Sequence, residues 1–171
     1  MASNDKIKTA VITGQHVYDV VNFHAVFRSM PEIDFYPLHM EDFVTDTGKG
    51  RKEFDVLLFY NMHRKIPMDK DDRTEKAMIE VLGELGESKQ GIFLLHHSIL
   101  AFNGWRLWSD IVGIEDRSFG FHLDQKIGID VTTSQHPITQ GIESWEMVDE
   151  TYTMDDAGEG SEILLTADHP K

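Results

Sequence analysis

The sequence contains no cysteine among its 171 residues, and this absence excludes disulfide bonds and thiol nucleophiles. Basic side chains are also scarce: 16 Lys and Arg stand against 30 Asp and Glu, which gives a formal net charge of −14. Because nucleic-acid binding depends on basic side chains that neutralise phosphates, we expect no nucleic-acid partner. No apolar run approaches the roughly 20 residues of a membrane-spanning helix, so we expect no membrane partner.

Several short motifs are missing as well. The sequence has neither G-x-G-x-x-G nor a P-loop, and it therefore predicts no nucleotide cofactor. The H-E-x-x-H spacing of many zinc enzymes is also absent, so any metal site would need ligands from separate segments. The first residues, Met1 to Lys6, lack the hydrophobic core of a signal peptide, which predicts a cytoplasmic protein.

Against these absences, nine histidines stand out, because His is the side chain best suited to proton transfer near neutral pH and a common metal ligand. The length and the 40% hydrophobic content predict one globular domain over residues 1–171. No internal repeat or linker divides the chain.

Apolar runs alternate with helical patterns in the first part of the chain, which is typical of a parallel α/β sheet. Strands are predicted at Ile7 to Thr13, Ile33 to Leu38, Phe54 to Tyr60 and Gly91 to Leu95. Helices are predicted from apolar stripes at Val20, Phe23, Phe27 and Met30, over Asp71 to Gly86, and at Leu107, Trp108, Ile111 and Val112.

The pattern changes after Gly113. Apolar residues alternate in two segments, which predicts an antiparallel hairpin that turns around Asp124 and Gln125. The alternating residues are Phe119, Phe121 and Leu123, then Ile127, Ile129 and Val131. Two further extended segments are predicted near Met147 to Thr153 and Ile163 to Ala167. The predicted fold class is therefore α/β, a doubly wound parallel sheet with helices on both faces plus an antiparallel hairpin.

Polar residues and histidines follow three of the predicted parallel strands. In doubly wound sheets, ligands bind beyond the carboxyl ends of the strands, where the strand order reverses. With a flavodoxin-like strand order, these three segments would line that crevice. The segments there are Gly14 to Asp19 after the first strand, Tyr60 to His63 after the third, and His96 to Ser98 after the fourth. From these segments the candidates are His16, Tyr18, Asp19, Asn61, His96 and His97.

His96 and His97 stand where a strand turns into a helix, beside amides that favour a neutral imidazole able to act as a base or a ligand. Alternatively, one of them caps the helix and the other fills a gap. His16 either hydrogen-bonds a ligand hydroxyl or holds its loop.

Three further candidates lie in the second half of the chain. Strand alternation puts His122 on the face opposite to Phe121, beside Gly120, which leaves room for an approaching group. The same alternation puts Glu150 and Tyr152 on one face, where a carboxylate and a phenol could orient a histidine or bind sugar hydroxyls. An ordinary strand with an exposed acid is the alternative. His16, His96 and His122 are also candidate ligands for a divalent metal such as zinc. His136-Pro137 is interpreted as a turn, and Trp108 as a core residue.

Together these segments resemble the ThuA-like (trehalose utilisation) family, in order over nearly the whole chain. The resemblance rests on Val11 to His16 with Asn22-Phe23-His24, Phe54 to Tyr60, Gly91 to His97, Trp108 with Gly113 and His122, His136 to Ile142, and Asp149 to Tyr152. It implies a class I glutamine amidotransferase-like, flavodoxin-type fold. In true amidotransferases a cysteine nucleophile occupies the turn where this chain has His96, so amidotransferase chemistry is not expected.

The resemblance implies a protein of carbohydrate utilisation with a small sugar-like ligand. Family members usually continue past the region of Asp168 to Pro170 with another strand pair, and we expect this chain to lack that segment. We expect an enzyme of the sugar isomerase, hydratase, lyase or hydrolase type, with His96, His122 and Glu150 as its acid–base residues. Substrate contacts would come from His16, Tyr18, Asp19, Asn61, His97 and Tyr152. Two alternatives stay open: a non-catalytic sugar-binding or accessory module, and a structural subunit of a homo-oligomer.

Overall fold

The computed structural model describes residues 6–168; most of the segment on which the signal-peptide prediction rests, residues 1–5, lies outside this range. The described chain forms two compact units, one up to Trp108 and one from Ser109 onward. Whether both belong to a single domain stays a prediction. Within residues 6–168, no helix combines the length and the apolar character that crossing a bilayer requires.

The first unit is built on a four-stranded parallel sheet of order β2-β1-β3-β4. Its strands are β1 (Ile7–Gly14), β2 (Ile33–His39), β3 (Val56–Asn61) and β4 (Gly91–Leu94). The predicted strand positions and the flavodoxin-like strand order are thus confirmed. All four carboxyl ends lie at one edge of the sheet because the strands are parallel.

Helices cover both faces of this sheet, as predicted. The helices are α1 (Val20–Arg28), α2 (Met40–Thr45), α3 (Arg73–Gly83) and α4 (Arg106–Val112), with 3-10 helices at Arg51–Glu53 and His96–Leu100. Phe27 of α1 packs on Val11 and Leu58. On the opposite face, Phe43 of α2 contacts Phe59, with ring centroids 6.2 Å apart. Adjacent strand residues point to opposite faces, which explains this division.

The helix predictions need two corrections. Val20 is 52% exposed rather than buried, because it is the first residue of α1, directly after its N-cap Asp19. The second predicted helix is shorter at both ends: Asp72 caps its start by accepting hydrogen bonds from the backbone amides of Thr74 and Glu75, and it ends at Gly83. Side-chain caps of this kind satisfy amides that have no partner within the helix.

β2 is an outer strand of the sheet and contains Pro37, which lies opposite Val11 of β1. Proline has no backbone N–H, so within sheets it is largely confined to edge strands, strand starts and bulges. Tyr36 is partly exposed on this strand and donates a hydrogen bond of 2.8 Å to the Asp34 carboxylate.

The second unit contains an antiparallel sheet of order β6-β5-β7. Its strands are β5 (Gly120–Val131), β6 (Trp145–Thr153) and β7 (Leu165–Asp168), so the antiparallel part and the last two extended segments are confirmed. The predicted turn at Asp124 and Gln125 is wrong, because β5 continues through these residues. Asp124 has a φ of 55°, and the register of β5 with β6 shifts between His122 and Gln125. The residues form a bulge, which bends the strand without reversing it.

Candidate functional site

The polar edge of the first unit begins at the turn after β1. Gly14 has a φ of 150° and Gln15 a φ of 59°, so the chain leaves the strand sharply. The turn places the His16 ring on that of His97, with centroids 4.0 Å apart. The structure therefore brings together two of the predicted site residues from different strand ends.

His96 is an exposed residue in the left-handed backbone region, with a φ of 53°. It follows Leu95, directly after β4, and begins the 3-10 helix His96–Leu100. A non-glycine residue in this region costs about 1–3 kcal/mol and is common at functional sites. The strand-to-helix turn predicted from the sequence is thus present, and it holds the His96 side chain at the surface.

His97 lies behind this turn and is 1% exposed. Burial, followed by the nearby His16 and His96, lowers the pKa of His97 to about 4, although the Tyr60 backbone slightly opposes this shift. Neither ring nitrogen makes a hydrogen bond of good geometry with the described residues. His97 is therefore a neutral imidazole at pH 7.

Tyr60 is the centre of this group of rings. Its centroid lies 4.3 Å from that of His97, 6.5 Å from that of His96 and 5.6 Å from that of Tyr18. Burial, with a smaller contribution from Tyr18, raises the pKa of the Tyr60 phenol, which keeps its proton at neutral pH. Tyr60 was placed at this edge from the sequence, at the end of a strand next to Asn61, but it was not predicted as a site residue.

Two residues predicted to contact a ligand, Asp19 and Asn61, make contacts within the protein instead. The Asp19 carboxylate caps α1, accepting hydrogen bonds from the backbone amide of Asn22 at 3.1 Å and from its side chain at 2.6 Å. These bonds lower the pKa of Asp19. Asn61 is fully buried, and its side-chain amide lies 3.2 Å from Nδ1 of His63. The roles of both residues in ligand binding stay predictions.

A second group of polar side chains lies at the ends of β2 and β3. The sequence placed His63 at this edge, whereas His39 and Glu41 were not predicted. Nδ1 of His39 makes an ion-pair contact with Oε2 of Glu41, and Nε2 of His63 lies 3.4 Å from Oε1 of the same carboxylate. Burial opposes ionisation of Glu41, but its own backbone amide, His39 and His63 outweigh this and lower its pKa. Burial lowers the pKa of His63, which Glu41 partly offsets.

The candidates of the second unit do not share one face of its sheet. Tyr152 donates a hydrogen bond of 3.3 Å to Glu150, which confirms that these two side chains face the same way. His122 lies opposite Thr151, and residues that face each other across a ladder share a face, so His122 lies on the other face from Glu150. Their catalytic roles stay predictions.

Two residues interpreted as structural have structural contacts. The Trp108 indole is fully buried and donates a hydrogen bond of 3.0 Å to the Ser98 carbonyl. Nδ1 of His136 accepts a hydrogen bond of 3.2 Å from the Ile138 amide, and the His136 carbonyl accepts one of 3.0 Å from the Thr139 amide, which forms the predicted turn.

Metal binding has no ready-made donor set in residues 6–168, where no group of three or more His, Asp or Glu side chains is arranged to hold an ion. The roles of His16, His96 and His122 as metal ligands stay predictions.

Three solved structures have the fold of this chain, although their amino-acid sequences differ greatly from it. A ThuA-like protein of Parabacteroides merdae matches with a TM-score of 0.62 and 20% identity, over 95% of this chain and 68% of its own. A ThuA-like protein of Bacteroides uniformis matches with a TM-score of 0.62 and 16% identity, over 93% and 66% of the two chains. A glutamine amidotransferase of Thermotoga maritima matches with a TM-score of 0.51 and 9% identity, over 92% and 66%.

This chain therefore spans about two thirds of the length of the proteins whose fold it shares. No protein-family model matches the sequence, and no curated protein does either. At identities of 9 to 20%, structural similarity establishes the fold and leaves the activity open. The fold predicted from the ThuA-like resemblance is thus confirmed: this chain has the fold that ThuA-like proteins share with a glutamine amidotransferase.

Proposed function

We propose that this protein is an enzyme of carbohydrate utilisation that moves a proton on a sugar or keto-sugar derivative, with His96 as its acid–base residue. The observation that carries the proposal is the left-handed backbone of His96, with a φ of 53°, at an exposed turn after β4. Backbone strain of this kind persists only where the surrounding structure enforces it, and it clusters at active sites.

The residues around His96 support proton transfer. The neutral ring of His97 lies 5.1 Å from that of His96, so it adds no positive charge that would disfavour a proton on His96. Tyr60 and Tyr18 offer phenol hydroxyls and aromatic faces. A ligand hydroxyl or carbonyl could accept a hydrogen bond from such phenols, and a sugar ring could pack on their faces.

Isomerisation, hydration and elimination at a keto-sugar share one requirement, which is transfer of a proton to or from the carbon next to the carbonyl. A positioned histidine accelerates such a transfer by about 10²–10⁴-fold. Both the carbohydrate substrate class and the cytoplasmic location remain part of the proposal, as do the supporting roles of His16, His122, Glu150 and Tyr152.

The test is exchange of the proton next to the carbonyl for deuterium, with a glycoside carrying one ring ketone dissolved in D₂O with the protein. Proton NMR measures the loss of the signal. We expect His96→Asn to lower the exchange rate by about 10²-fold or more. Asn is the matched variant because it tolerates a positive φ and keeps a hydrogen-bonding side chain.

An unchanged exchange rate in His96→Asn would refute the assignment of His96. Binding of the keto-glycoside by the wild-type protein without any exchange would instead favour the non-catalytic sugar-binding module.

A further inference from the structure

The polar group at the ends of β2 and β3 lies at the same edge of the sheet as His96 but is not used in the chemistry above. His39 is the last residue of β2 and lies opposite Thr13 of β1. Its side chain is 49% exposed. Because the sheet is parallel, this strand end and the turn after β4 line one edge.

A chain of contacts runs from the interior to His39. The Asn61 side-chain amide can only donate to Nδ1 of His63, at 3.2 Å, so the proton of neutral His63 belongs on Nε2. That nitrogen then donates to Oε1 of Glu41 at 3.4 Å. Glu41 is ionised at neutral pH because its pKa is lowered. One carboxylate oxygen is thus engaged by a buried partner, and the other, Oε2, contacts Nδ1 of His39.

This arrangement favours one nitrogen of His39 as the available one. The contact with Oε2 is made by Nδ1 and not by Nε2, and a carboxylate beside Nδ1 favours a proton on that nitrogen, which leaves the lone pair on Nε2. Among residues 6–168, Nε2 of His39 has no hydrogen-bond partner, and it lies 3.3 Å from where a Cβ on Gly14 would stand. The free nitrogen therefore faces inward along the strand ends, towards β1.

We propose that His39, held by Glu41, is a second acid–base residue at this edge of the sheet, which exchanges a proton with an oxygen of the bound carbohydrate. The proposal rests on the function proposed above. β2 and β4 are the outer strands of the order β2-β1-β3-β4, so their ends are separated by three strand spacings, or about 14 Å. His39 and His96 consequently act on different atoms of one ligand.

The two residues would divide one reaction between them. His96 takes the proton from the carbon next to the carbonyl, and that electron pair forms the new carbon–carbon double bond. The bond between the next carbon and its oxygen breaks, and the departing oxygen takes from Nε2 of His39 a proton that this nitrogen accepted from water before the step. The imidazolium is paired with the Glu41 carboxylate while it carries the charge.

The experiment compares His39→Gln, Glu41→Gln and His96→Asn, with His136→Gln as the control at a histidine that forms a turn. Proton exchange and conversion of the keto-glycoside are followed separately by NMR. We expect His39→Gln to retain the exchange and to lower the conversion by about 10²-fold. Loss of both processes is expected in His96→Asn.

A readout without ligand uses ¹⁵N NMR of the histidine rings. In the wild-type protein, neutral His39 should carry its proton on Nδ1. Glu41→Gln should move the proton largely to Nε2, because the isosteric amide keeps the contact with His63 but lacks the charge.

The outcomes separate the two proposals. Wild-type conversion in His39→Gln, or a proton on Nε2 of neutral wild-type His39, overturns the role of His39 and leaves that of His96 intact. Full exchange in His96→Asn with impaired conversion in His39→Gln overturns the role of His96 alone. Binding without exchange or conversion in the wild-type protein overturns both.

Discussion

The turn at His96 should carry measurable strain, which can be separated from the chemistry of its side chain. His96→Ala and His96→Gly both remove the imidazole, but only Ala keeps a Cβ in the left-handed region. That Cβ lowers the free energy of unfolding by roughly 1–2 kcal/mol. Gly lowers it by about 0.5–1 kcal/mol, because Gly has greater conformational freedom in the unfolded chain. We therefore expect the Gly variant to be more stable than the Ala variant by about 1 kcal/mol. For a chain of this length, the difference corresponds to roughly 2–4 °C in Tm.

The control is the same pair of substitutions at Glu80, an exposed position inside α3. Gly in a helix interior is about 1 kcal/mol less favourable than Ala, so the order of stabilities should be reversed there. Urea unfolding followed by circular dichroism measures the free energy of unfolding for all four variants. Equal stabilities of the two variants at residue 96, or a more stable Ala variant, would show that the turn is unstrained. That result would remove the main support for His96 as the acid–base residue.

Three further predictions concern the surroundings of the site. His97 has a pKa of about 4 in the folded protein and of about 6.5 when unfolded. Because the unfolded state binds more protons between these two values, the free energy of unfolding should rise with pH from about 4 to 6.5. His97→Phe should flatten this rise in urea titrations at a series of pH values. A Cβ on Gly14 would lie 2.7 Å from Cε1 of His63, so Gly14→Ala should lower Tm and reduce the free energy of unfolding by about 1–3 kcal/mol. Gly83 has open space around it, so Gly83→Ala should leave Tm unreduced. Asp19→Ala should cost about 1 kcal/mol through loss of the N-cap, and Asp19→Asn should preserve most of it; equal losses in both variants would contradict the capping role.

The parallel sheet was predictable because its signals are local. Long apolar runs mark strands that are buried on both faces, and polar residues follow those runs where the strands end. The positions of His16, His96 and His97 at one edge follow from strand direction alone. The cap by Asp19 also had a local signal, an acidic residue directly before an apolar helical pattern, and it was overlooked in favour of a ligand contact.

The remaining features depend on backbone geometry or on contacts between distant residues. The bulge in β5 requires Asp124 in the left-handed region, and a polar pair between two alternating segments is equally compatible with a turn. The contact between His39 and Glu41 forms across the junction of β2 and α2, where hydrophobic periodicity carries no information. The burial of Asn61 and its contact with His63 could not be read from a polar residue at a strand end.

Pro37 on the outer strand β2 also bears on how copies of this protein could associate. An outer strand presents unpaired backbone groups to which a second chain can add a strand, and proline is one of the devices that prevent this pairing. Growth of the four-stranded sheet from one copy into the next is therefore disfavoured along β2. If copies of this protein associate, the subunits should therefore meet through side chains on another surface.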